Sequence, residues 1–175
     1  SQLSLEMLLR ECDGTKNKSR VGANAILGIS LAAARATALS RKMPLYRYIA
    51  ELVGNPFDLE RFPVPMFNIL NGGKHSDSGL SIQEFKLVPS GVASYPEQLR
   101  AGSEIFHSLK KLLEADHFST GVGDEGGFAP RLESHAQALE KINQAIGEAG
   151  YESGKQVFLG LDVAANSFYV PEQDL

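Results

Sequence analysis

Four polar residues, His75, Glu84, Glu125 and Asp162, stand where short apolar segments meet loops. Asp124 and Glu125 are adjacent acids inside the glycine run GVGDEGGFAP (121–130). His75 lies in NGGKHSDSG (71–79), Glu84 opens EFKLV (84–88), and Asp162 sits near the end of VFLGLDVAA (157–165). The first six residues of the glycine run fit G-x-G-x-x-G, so the loop could cradle a phosphate or present a carboxylate. A dinucleotide turn leaves a buried strand and opens a helix whose amides meet the pyrophosphate. HFST (117–120) is not such a strand, and Pro130 follows the last glycine too closely for a helix to start there. Two acids would also face a dianion. A tight loop presenting a carboxylate, or a plain solvated turn, fits better.

Each of the other residues has a bland alternative. A loop histidine can be merely solvated, Glu84 can be a strand-edge acid, and Asp162 can cap the segment after it. Asp162 is the most informative by position, because Val157, Phe158, Leu159, Leu161 and Val163 surround it and an unpaired carboxylate is costly to bury. A hard cation is an economical partner. Carboxylates far apart in sequence, without a Cys or His cluster, suit Mg²⁺ rather than Zn²⁺. A second carboxylate kept near neutrality by its surroundings can serve as a general acid. The residues by themselves therefore suggest a Mg²⁺-dependent enzyme acting on a small anionic substrate.

The elements that must position these groups are legible from periodicity. Leu5, Leu8, Leu9 and Cys12 give one apolar helix face that ends near Asp13-Gly14. Residues 23–42 read as a second helix, rich in alanine and closed before Pro44. Leu45, Tyr48, Ile49 and Leu52 mark a third, with Gly54 to end it. GNPFDLERFP (54–63) reads as a linker. Beyond it, VPMFNIL (64–70) and EFKLV (84–88) read as strands. Ser94-x-x-Glu97 caps a helix carrying Leu99, Phe106, Leu109 and Leu113, and Ser134-x-x-Gln137 caps another with Leu139, Ile142, Ile146 and Ala149. A buried strand at 157–165 completes the order helices, linker, β-β-α-α-β. If the strands are parallel, the four polar groups gather near their C-terminal ends.

The 175 residues are 43% hydrophobic and 22% charged, as in ordinary globular proteins, and the net charge of −4 includes no basic run for nucleic acid. Cys12 is the single cysteine, which fits a reducing, cytoplasmic setting. Residues 21–39 are apolar, but Asn24, Arg35 and the many alanines favour a buried soluble helix over a membrane span. No signal-peptide pattern is present. The start at Ser1 and the stop at YVPEQDL read as the ends of a fragment.

The blocks DGTKNKSRVGANAILGISLAAARA (13–36), PLYRYIAEL (44–52), PVPMFNILNGGKHSDSGLSIQEF (63–85), GVGDEGGFAP (121–130) and LGLDVAANSFY (159–169) resemble the enolase family in order and spacing, over essentially the whole chain. The resemblance implies an incomplete α/β fold. Residues 1–60 would be the helical part of the small α+β N-terminal domain, and residues 61–175 the first β-β-α-α-β elements of an enolase-type β/α barrel (a TIM barrel variant). It also implies the glycolytic and gluconeogenic interconversion of 2-phosphoglycerate and phosphoenolpyruvate. A lysine removes the C2 proton, two Mg²⁺ ions stabilise the enediolate, and a glutamic acid assists departure of the C3 hydroxyl. By motif, Glu125 matches that acid and Glu84 the glutamate beside it, each counted with His75 as catalytic. His75 matches the histidine of a loop that closes on substrate, which it binds together with Glu84. Asp162 matches a ligand of the first metal.

The resemblance further implies a cytoplasmic homodimer with no nucleic-acid partner and no membrane span. The sequence departs from the family's pattern at Lys74 and Ser76 beside His75, and at Asn166-Ser167-Phe168, which removes an acid. The family's base lysine, its other metal ligands and its phosphate-holding residues would lie beyond Leu175, and its metal-binding mobile loop before Ser1. These 175 residues alone are therefore expected to be inactive. The alternative is a short non-catalytic chain that keeps enolase surfaces as a binding or structural module.

Overall fold

The computed structural model describes residues 1–54, 62–73, 76–167 and 169–170, and the chain divides into two compact units, Ser1–Arg61 and Phe62–Leu175. The expected linker lies mostly outside the described residues, as does His75.

The described residues of the first unit form three α-helices. Helix α1 (Gln2–Asp13) starts where the Ser1 hydroxyl accepts the Ser4 amide, and it stops at Gly14 in the left-handed region (φ 71°). Helix α2 (Ala23–Ser40) ends two residues earlier than periodicity suggests, because the chain turns through Lys42 (φ 53°) and Met43 N–H donates to Ala38 O at 3.0 Å. Helix α3 (Leu45–Leu52) follows Pro44. Its Tyr48 is buried against Ala34 and Ala38, whose small side chains let the helices approach.

The leucine stripe of α1 is not the buried face that its spacing suggests. Leu8 and Cys12 are exposed, whereas Gln2 and Asp13 are buried. The reason is a polar seam. Gln2 donates to Ser30 O at 3.0 Å and to Glu6, and Ser30 Oγ donates to Glu6 at 2.7 Å, so α1 meets α2 through hydrogen bonds. Asp13 accepts from Thr15 and from Val21 N at 2.7 Å and ties down the turn between the helices. The expected burial of α2 is also not found within this unit. Ile26, Ala34 and Ala38 are its buried residues, while Leu27, Ile29, Leu31 and Leu39 are exposed. By length and composition this helix is apolar enough to cross a membrane.

Among its described residues the second unit has a three-stranded sheet, two α-helices and a short 3-10 helix (Ala165–Ser167). Strand β1 (Phe67–Asn71) pairs antiparallel with β2 (Glu84–Val88), which pairs antiparallel with β3 (Phe158–Asp162). Pro65 keeps β1 from starting at Val64. Helices α4 (Tyr95–Ala115) and α5 (His135–Glu148) begin at the expected caps, Ser94 and Ser134, whose side chains accept the Glu97 and Gln137 amides. Phe85 and Leu87 alternate inward from β2 into a core with Ile69, Leu70, Ile105, Leu109, Leu113, Ile142 and Ile146. A Cβ at Gly102 would come within 2.5 Å of the Phe67 ring, which shows how closely α4 crosses β1.

Two expectations need correction here. Leu99 is exposed, because the buried face of α4 runs Gln98, Ala101, Gly102, Ile105, Leu109, Leu112, Leu113, one position away from it. Strand β3 is not fully buried. It is the last strand of this sheet, and Phe158, Leu161 and Val163 are exposed.

Candidate active site at the strand ends

The strands that carry the polar groups are antiparallel neighbours, not a parallel set. Because β2 runs against both β1 and β3, its N-terminal residue lies at their C-terminal ends. Asn71, Glu84 and Asp162 are therefore consecutive partners across the sheet. The register shift between Asn68 and Leu70 turns Asn68 and Asn71 toward the same face as Glu84 and Lys86, opposite the face that buries Phe85 and Leu87. On β3 the partner of Lys86 is Gly160, which presents no side chain.

Glu125 reaches this edge from another direction. Its loop turns back on itself through Gly126 N–H to Gly123 O (3.0 Å) and Gly123 N–H to Gly127 O (2.8 Å). It then joins β1: Phe128 N–H donates to Ile69 O at 3.0 Å, and Asn71 N–H to Phe128 O at 2.8 Å. A Cβ on Gly127 would lie 2.3 Å from Asn71 Oδ1 and 2.7 Å from Leu70 N, so only glycine allows this approach. The glycines thus let backbone pack on backbone. No helix follows the loop until His135, so the geometry of a dinucleotide turn is absent.

The Glu125 carboxylate is half-buried and held at both oxygens. Gln83 Nε2 donates to Oε1 at 2.9 Å and Asn71 Nδ2 to Oε2 at 3.4 Å, while Asn68 Nδ2 donates to the Glu125 carbonyl at 3.2 Å. Asp124 is exposed and borders a different cleft, of about 690 Å³, with Ser76, Asp77, His117 and Arg131. The two adjacent acids therefore serve different surroundings.

Glu84 pairs with Lys86, whose Nζ is 2.6 Å from Glu84 Oε2 and 3.9 Å from Asp162 Oδ2. The hydrogen bond to Glu84 raises the Lys86 pKa above the usual lysine value; burial opposes this, and the charges of Glu84, Asp162 and Glu125 add to it. Asp162 Oδ1 accepts the Ala164 amide at 3.2 Å, and the Asp162 side chain is 47% exposed. The cost of burying Asp162, inferred from its apolar neighbours in sequence, therefore does not apply. What the structure shows instead is a facing pair of carboxylates, Glu84 and Asp162, at one strand end.

Among the described residues no three His, Cys, Asp or Glu side chains converge as a metal site. The donors present are carboxylate oxygens, the chemistry that suits a hard divalent ion, and Asp162 has the exposed carboxylate to offer one. Asn68, Asn71, Gln83 and Lys86 were not singled out by sequence reasoning. All four lie inside quoted segments, and Lys86 shares the period-2 face of Glu84, so strand alternation is the signal that points to it.

The profile described as "Enolase, C-terminal TIM barrel domain" matches residues 60–175, and that described as "Enolase, N-terminal domain" matches residues 1–49. A curated protein named "Enolase" from Bdellovibrio bacteriovorus is 53% identical over 168 residues, which cover 96% of this chain and 39% of that relative. The chain thus spans about two fifths of the length of the relative it matches. With both domain profiles matched in order and the strand-end acids carried on the matched barrel segment, the chain belongs to the enolase family.

Proposed function

We propose that the protein carrying this chain is a Mg²⁺-dependent phosphopyruvate hydratase, a carbon–oxygen lyase that interconverts 2-phospho-D-glycerate and phosphoenolpyruvate plus water. The observation that carries this reading is Glu125 fixed at both oxygens beside the Asn71–Glu84–Asp162 strand end. In this reading the C2 proton is taken by a base that these residues do not supply. Glu125 gives a proton to the C3 hydroxyl, the C3–O bond breaks, and the oxygen leaves as water while the C2 electron pair forms the double bond. The hydrogen bonds that Gln83 and Asn71 donate fix where the Glu125 carboxyl group sits. Glu84 adds a second carboxylate beside the substrate, and His75, outside the described residues, is assigned to substrate binding and catalysis. Asp162 would hold Mg²⁺, which supplies positive charge against the negative charge that develops on the substrate. Family membership also suggests a homodimer working in the cytoplasm.

The test is to express the full coding sequence, purify it free of host enolase and follow phosphoenolpyruvate formation by ultraviolet absorbance. The reading expects turnover with Mg²⁺, loss on chelation and recovery on adding Mg²⁺ back. A folded protein with no turnover at saturating Mg²⁺ and 2-phosphoglycerate would overturn it and favour a non-catalytic binding or structural role.

A further inference from the structure

Glu84 and Asp162 are directly paired across β2 and β3, an arrangement in which two like charges repel. Lys86 lies two residues along β2 on the same face, and its Nζ reaches both carboxylates, at 2.6 and 3.9 Å. The opposite position on β3 is Gly160, where a Cβ would stand 3.6 Å from the Lys86 Cβ. That is ordinary van der Waals contact, so Gly160 leaves the lysine stem free beside β3. Lys86 therefore places a positive charge at the strand end, beside both carboxylates. That charge is partly sheltered, since the Lys86 and Glu84 side chains are 24% and 15% exposed. Sheltered pairs are screened less than surface ones.

We infer that Lys86 is a positioning residue that sets the affinity of Asp162 for a divalent cation. The inference rests on the reading of Asp162 as a metal ligand. With no cation bound, Lys86 neutralises the facing carboxylates and keeps Glu84 in place. When a divalent ion approaches Asp162, the ammonium competes for the same oxygens and repels the incoming charge. The lysine therefore weakens the metal site while holding its geometry, which favours a metal that exchanges over one that stays.

The experiment is Mg²⁺ titration of the full-length protein by calorimetry, comparing wild type with Lys86→Met, Lys86→Gln, Lys86→Arg and Asp162→Asn. Removing a unit charge within about 4 Å of the ligand should tighten Mg²⁺ binding by about tenfold in both neutral variants. Lys86→Arg keeps the charge and should bind as wild type does. Lys86→Gln retains a donor for Glu84, so it carries the test if Lys86→Met does not fold. Asp162→Asn separates the two layers of the argument. If it weakens binding while the neutral Lys86 variants bind no tighter than wild type, the role of Lys86 is overturned and the metal reading survives. If Asp162→Asn leaves Mg²⁺ binding unchanged, the metal reading and the inference built on it are both overturned.

Discussion

Asn71 holds Glu125 across 54 positions of sequence, donating from Nδ2 to the carboxylate at 3.4 Å while its Oδ1 accepts the Gly127 amide at 3.1 Å. One buried amide at the end of β1 thus fixes both the backbone and the side chain of the acidic loop. A loop residue fixed by a strand is placed more sharply than one left to solvent.

Gly127→Ala should break that hold. The new methyl would meet Asn71 Oδ1 and the Leu70 amide at distances no contact tolerates, so the loop must move off β1. Overpacking of this kind typically costs about 1–3 kcal/mol. Chemical denaturation should show a loss in that range, and dehydration by the full-length enzyme should fall with it. Stability and turnover both equal to wild type would mean the loop has room that the structure denies it.

The ordering of elements after the linker, and the caps at Ser94 and Ser134, were legible because period-2 and period-3.6 patterns and capping boxes are local signals. Three things were not. The antiparallel placement of β2 depends on which strands pair, so Glu84 at a strand start gave no hint that it would face Asp162. The polar seam of Gln2, Glu6 and Ser30 overrode the leucine stripe of α1, because packing between helices is not written in either helix alone. Asn71 and Lys86 act only through partners brought together by the sheet. Glu125, in contrast, stood out from its glycines, since an acid inside a run of small residues signals backbone in close approach.

The 175-residue chain made by itself should show no dehydratase activity. Among the described residues its sheet has three strands, and β3, at one edge, leaves Phe158 and Leu161 exposed, a surface that invites association rather than a closed barrel. Size-exclusion chromatography together with the phosphoenolpyruvate assay checks this. Turnover above the no-enzyme control, in material free of host enolase, would contradict it.

Asp13 supplies a pH-dependent test of the helical unit. Hydrogen bonds from Thr15 and then from the Val21 amide lower its pKa in the folded state. A lowered folded pKa adds stability above the unfolded value, about 3.9, that disappears as pH falls through the folded one. Asp13→Asn should therefore melt below wild type at neutral pH, and the gap should narrow as the pH drops under about 4. A gap that stays constant with pH would show that the charge of Asp13 is not what holds the turn.

The most direct test of the account concerns the step assigned to Glu125. In the proposed reaction, proton removal at C2 and departure of the C3 hydroxyl have separate catalysts, so one can be lost while the other survives. Glu125→Gln keeps the shape of the side chain but gives no proton at neutral pH. Exchange of the C2 proton with D₂O, followed by proton NMR in the full-length enzyme, is measured beside phosphoenolpyruvate formation. Dehydration should fall by about 10²–10⁴-fold while C2 exchange falls much less. A parallel collapse of both rates, with folding and Mg²⁺ binding intact, would contradict the assignment of Glu125 to the hydroxyl step.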